Sequence, residues 1–271
     1  MQDRSEFSII DFHAHIFPEK IAEKAVQSIG GYYGLPMQGT GTVEGLLESG
    51  GPHQVMRYVV QSTATRPEQV RAINDFISET CRQDERLIGF GTLNPDMQDL
   101  QGELDRFEAL GLVGIKLHPD FQDFSIDDPA AMRIYALAQG RFPVLVHMGD
   151  ENRDTSSPKR LSVVLDRFPY LVLIAAHLGG YQMWDESLRL LAGRNLYLDT
   201  SSSLEFLEPA KALEIIRKHG VDRVLFGTDY PMWKHEDELE RFARLELTPA
   251  ERELILWKNA ARLLGMDAST V

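Results

Sequence analysis

Cysteine is nearly absent: the 271 residues contain one, Cys81. That excludes an internal disulfide framework and fits a reducing compartment. No apolar run approaches the ~18 residues that a membrane-spanning helix needs. The opening stretch, MQDRSEFSII, holds no long hydrophobic segment, so no secretory leader is visible. Basic residues are few: 28 Lys and Arg stand against 41 Asp and Glu, a formal net charge of −13. With no basic, aromatic-interleaved patch either, nucleic acid is excluded as a partner. No G-x-G-x-x-G follows the first apolar stretch, which argues against dinucleotide binding. Low-complexity segments and linkers are missing as well. These absences leave a cytoplasmic chain with no membrane partner, acting on a small molecule. Whether it forms a homo-oligomer stays open.

What is present is a rhythm. Hydrophobic residues make up 43% of the chain and charged residues 25%, ordinary values for a globular protein. Eight apolar stretches recur: IIDFHAHIF, QVMRYVVQST, RLIGFGTLNP, GLVGIKLHP, FPVLVHMGD, LVLIAAHLGG, NLYLDTSSS and RVLFGTDYP. Segments with helical periodicity separate them. The first, after Pro18, places Ile21, Ala25, Val26 and Ile29 on one stripe and is expected to stop at Gly30 and Gly31. Thr42 is expected to cap the next helix. Thr248 and Glu251 form a capping box around Pro249 in the closing helix. Strands alternating with helices indicate βαβ units and a parallel sheet. Eight units without a break predict an α/β protein, one (β/α)8 TIM barrel domain over residues 1–271, a length typical of that fold.

The polar residues are placed informatively. His13 and His15 lie two apart on one strand, so both imidazoles point the same way and can grip one metal ion. Further along, Lys116 and His118, then His147, His177 and Asp229 each sit at the C-terminal end of an apolar run. Barrel chemistry gathers at that mouth, and the joint pattern predicts a metal site there. Parity predicts that His147 shares a face with Leu145, His177 with Ala175 and Leu173, and Asp229 with Gly227 and Leu225. Asp11 is placed on the His13 face, either orienting a ligand imidazole or making a structural hydrogen bond.

The ordered run from Asp11 to His15, then GIKLHP, LVHMGD, AAHLGG and LFGTDYP, resembles the amidohydrolase superfamily. It looks most like the amidohydrolase-2 branch, which includes aminocarboxymuconate-semialdehyde decarboxylase, and the likeness spans Ile9 to Gly265. The resemblance implies one divalent metal held by His13, His15, His147 and Asp229, with His177 as a general acid/base beside it. Zinc is the default for such donors, with manganese, cobalt or nickel open. KLHP is similar to the KLYP of dihydroorotases, which implies an alternative: a carbamylated Lys116 bridging to a second metal. Otherwise Lys116 pairs with an acidic neighbour or a substrate carboxylate. Lys116, His118, Arg153 and Trp233 are expected to contact substrate, with Tyr32, Tyr33 and Lys159 as further candidates.

Three functions follow. The main expectation is hydrolysis of a small amide, lactone or ester, favoured because the chain is compact. Metal-bound water, its pKa lowered from 15.7 towards ~7, would attack a carbonyl while Asp229 took the proton. The second is non-oxidative decarboxylation of a small unsaturated or aromatic acid on the same residues. The third is a barrel that binds metal without turnover.

Overall fold

A computed structural model describes residues 8–266. The opening stretch, on which the expectation about a secretory leader rests, lies largely outside the described residues. The eight apolar runs become eight strands: β1 (Ile9–His15), β2 (Val55–Gln61), β3 (Leu87–Thr92), β4 (Gly114–Leu117), β5 (Val144–Val146), β6 (Leu173–Ala175), β7 (Tyr197–Asp199) and β8 (Val224–Leu225). They form one sheet in chain order, each neighbour parallel to the next. β1 meets the last strand through a parallel bridge between Ala14 and Tyr230. Phe12 N donates to Phe226 O (2.9 Å) and Asp229 N to His13 O (2.8 Å), sealing the seam. The architecture is the expected TIM barrel.

Two apolar layers follow from strand alternation. Inside the barrel pack Ile10, Phe12, Val59, Phe90, Leu145, Ile174 and Leu225, with Ala260 and Ala261 of the closing helix against them. Phe12 and Phe90 meet edge to face, centroids 5.7 Å apart. Burying each of these rings is worth about 1.5–3 kcal/mol. Gly114 makes room for them, since a Cβ there would lie 2.4 Å from the Phe90 ring. The larger layer fills the space between strands and surrounding helices.

The caps behave as expected. Thr42 accepts from Gly45 N (3.1 Å), and Thr248 and Glu251 bond reciprocally. The first helix differs: it runs Glu19–Tyr33 and ends at Gly34, which takes the left-handed conformation (φ 65°). Gly30 does not stop the helix. The chain folds back over it, with Leu35 N donating to Gly30 O (3.1 Å), and a Cβ at Gly30 would sit 2.9 Å from Leu35 O. Close approach, not termination, explains that glycine. The expected stripe is also shallow, for only Ala22 of this helix is buried. No helix among the described residues is long and apolar enough to cross a membrane.

Candidate functional site

The mouth is built where strands stop. β1 carries a register shift between Asp11 and Ala14. That irregularity lets Phe12 join the barrel interior while the next residue, His13, turns into the mouth. It also corrects the expected face of Asp11. Its carboxylate accepts from Thr228 N (3.0 Å) and Thr228 Oγ1 (2.6 Å) and lies 3.0 Å from His235 Nε2. His235 belongs to a surrounding helix, so Asp11 is a structural tie and orients no mouth imidazole.

Three donor atoms converge at the mouth. His13 Nε2 lies 3.2 Å from His15 Nε2, and Asp229 Oδ1 lies 3.4 Å from the first and 3.3 Å from the second. His13 is oriented by Asp199, the last residue of β7, whose Oδ2 is 2.9 Å from His13 Nδ1. A carboxylate only accepts, so His13 carries its proton on Nδ1 and presents a bare lone pair at Nε2. Burial holds His15 neutral, its pKa lowered to about 4 although a hydrogen bond donated to Asp229 would favour the charged ring. Burial also opposes charge on Asp229, yet the His13, His15 and His177 imidazoles outweigh it and keep its carboxyl well below the usual range.

Two neutral imidazole nitrogens and one anionic oxygen fit a divalent cation. Bonds of about 2.1 Å imply donor–donor edges of about 3.0–3.4 Å, which matches the observed triangle. Lys116, fully buried, already brings a cationic Nζ to 2.9 Å from His13 Nε2. Burial lowers its pKa to about 8, partly offset by Asp229 and Asp199. Gly227 leaves space below, since a Cβ there would lie 2.8 Å from His13 Cβ. The barrel mouth thus carries a divalent-metal site.

Across the mouth the rings associate with one another. His177 Nε2 is 2.9 Å from His147 Nδ1. His177 Nδ1 faces Ser201 O (2.9 Å) and His147 Nε2 faces Gly149 O (3.0 Å). Two neutral rings offer two N–H groups for these three contacts, so the full set is met only with one extra proton. Burial opposes that proton, lowering His177 to about 4 and His147 well below its ordinary value. A proton placed on the pair is therefore readily given up. His118 stacks on His147 (3.8 Å, 9°) and on Phe121 (3.9 Å, 1°), and its Nε2 is 3.2 Å from Tyr33 Oη.

The expected faces held for His147 and Leu145 but not for His177. β6 ends at Ala175, and His177 has a left-handed backbone (φ 60°) that breaks the two-residue period. Leu178, Ser202 and Asp229 share that conformation, and such strain gathers at functional sites. His147, implied as a fourth ligand, stands outside the donor triangle, joined to it through His177. Arg153 donates to Asp120 O (2.9 Å) and Asp123 Oδ1 (2.6 Å), tying two loops together. Lys159 faces solvent. Trp233 is buried, with its indole N–H donated to Ser202 Oγ (3.0 Å). Tyr32 donates to Asp150 Oδ2 (2.7 Å), closing the end of the first helix over the mouth beside Tyr33. Asp199 was missed in the sequence, although it ends an apolar run just as Asp229 does.

Comparison with known proteins changes the expected chemistry. The decarboxylase orsB of Emericella nidulans is 27% identical, covering 90% of this chain and 92% of the relative. The gamma-resorcylate decarboxylase of Polaromonas sp. is 24% identical over 74% of this chain and 77% of its own. A dihydroxybenzoic acid decarboxylase of Polaromonas sp., solved with bound manganese, superposes with a TM-score of 0.73 at 18% identity, covering 96% of this chain and 97% of its own. The expectation of hydrolysis is overturned by these decarboxylases. Compactness was no guide, because the chain spans nearly the whole of one of them. The amidohydrolase family model matches residues 10–266, and the chain belongs to that family, in its amidohydrolase-2 branch.

Proposed function

We propose that this chain is a metal-dependent, non-oxidative decarboxylase of a small hydroxylated aromatic acid. The observation that carries the reading is a cation-binding triangle facing a wall of flat rings. His13, His15 and Asp229 would hold the ion. When bound, the cation supplies positive charge that anchors substrate oxygens and stabilises negative charge built up on the ring. Manganese is the metal we assign, supported by the ion held in the solved relative; zinc competes for the same donors.

The chain's residues account for the remaining steps. Tyr33 and Phe121 offer ring surface against which an aromatic substrate packs, and His118, held between Phe121 and His147, stiffens that wall. Lys116 places a buried cation near the carboxylate. The bond from ring carbon to carboxylate breaks, carbon dioxide leaves, and the electron pair stays on the ring carbon. That carbon then takes a proton, which His177 delivers as general acid. The surrounding burial keeps water away from the carbanion-like centre.

The test is direct. Manganese-loaded protein is incubated with 2,6-dihydroxybenzoate and a panel of hydroxybenzoates, and carbon dioxide is measured. Release matching substrate loss supports the reading. Fully metal-loaded protein that releases none from any of them contradicts it.

A further inference from the structure

We propose that Ser202 and Trp233 are positioning residues that aim Asp229 so that it offers one oxygen to the cation. The inference rests on the cation site of the preceding section, though not on the reaction assigned to it. Asp229 has two differently used oxygens. Oδ1 faces the imidazoles of His13 and His15, whereas Oδ2 accepts a hydrogen bond from Ser202 Oγ (2.6 Å). The Ser202 hydroxyl has a single proton and could also reach Met232 Sδ (3.3 Å), a far weaker acceptor than a carboxylate.

Trp233 supports that direction. Its indole N–H can only donate, and it donates to Ser202 Oγ (3.0 Å), filling a lone pair of the serine oxygen. The chain of bonds therefore runs one way, from Trp233 to Ser202 to Asp229. The indole is held in turn. The Arg241 guanidinium lies 4.4 Å from its ring centroid, and Arg241 is itself fixed by Glu205 (2.7 Å) and Glu238 (2.6 Å). Ser202 is kept in a left-handed backbone (φ 48°), a conformation that a serine rarely adopts. With Oδ2 held by the serine, Oδ1 is the oxygen turned towards His13 and His15.

The experiment titrates metal-depleted full-length protein with manganese and reads the dissociation constant, alongside the melting temperature of the metal-free form. Removal of a partner behind a ligand typically costs 10–100-fold in metal affinity, and Ser202→Ala is expected to weaken binding by about that range. Ser202→Gly removes the same hydroxyl while relieving the backbone, and should weaken binding equally. Trp233→Phe is expected to weaken it less. The double variant Ser202→Ala/Trp233→Phe should bind no worse than Ser202→Ala alone, because the indole acts through the serine. Additive losses, or a loss in Ser202→Ala that Ser202→Gly lacks, would assign the effect to general packing or strain and overturn the proposal. Unchanged affinity in both serine variants overturns it too. A wild-type protein that takes up no cation would instead remove the metal site beneath it, a distinct failure.

Discussion

The two sides of the barrel mouth use histidine in opposite ways. On the side of β1, β7 and β8, carboxylates fix the rings: Asp199 orients His13, and Asp229 faces both imidazoles of the first strand. On the side of β4 and β5, rings fix rings: His118 lies flat between His147 and Phe121. Each side contains three donor groups close enough for a metal ion. On the second side they are already engaged. Asp120 accepts from Thr155 and Ser156, His118 Nδ1 accepts weakly from Phe121 N (3.4 Å), and both His147 nitrogens have partners. On the first side the lone pairs face one another, and the partner that reaches them from outside is the Lys116 ammonium, itself a cation, at His13 Nε2. Ligand identity therefore says less about where a cation binds than whether the donors have other work.

That contrast can be broken experimentally, beginning where the effect should be greatest. His13→Ala is expected to leave the protein without bound manganese and without activity, measured by elemental analysis and carbon dioxide release. His118→Ala should retain its ion. His177→Asn should also retain the ion while slowing decarboxylation by about 10²–10⁴-fold, the usual weight of a general acid. A parallel loss of metal there would place His177 among the ligands. Tyr33→Leu removes a ring from the wall and should raise KM by about tenfold, an aromatic contact of about 0.5–1.5 kcal/mol, with kcat little changed.

The smallest effect concerns pH. His15 and His177 have pKa values near 4 in the folded chain, and His118 and His147 lie well below their ordinary value, burial being the main cause in each. Between pH 6.5 and 4 the unfolded chain therefore binds protons that the folded chain refuses. The stability of metal-free protein should be full above pH 6.5 and fall as pH drops through that window. His118→Asn removes one such ring and should flatten the slope by about 1.4 kcal/mol per pH unit in chemical denaturation. An unchanged slope would mean that His118 is protonated in the folded protein.

Much of this was legible in the sequence because apolar runs and their polar ends are local signals. All eight strands and the caps at Thr42 and Thr248 came from adjacent residues, while the gathering of His13, His15 and Asp229 came from their places at strand ends together with the family resemblance. What failed depended on long-range geometry. Strict alternation put Asp11 beside His13, but the irregularity in β1 turned it towards His235. The same alternation was extended to His177 although its strand had ended and its backbone had become left-handed. Arg153 and Trp233 are loop residues whose partners lie about 30 positions away in the chain, beyond any periodic pattern. The reaction was not legible either. The same donors serve a water nucleophile or a carboxylated ring, and a fold does not choose between them.

Anomalous diffraction at the manganese edge, from crystals grown with that ion, tests the central claim most directly. The account predicts one strong peak bounded by His13, His15 and Asp229. A peak seated instead among His118, Asp120 and His147 would contradict it.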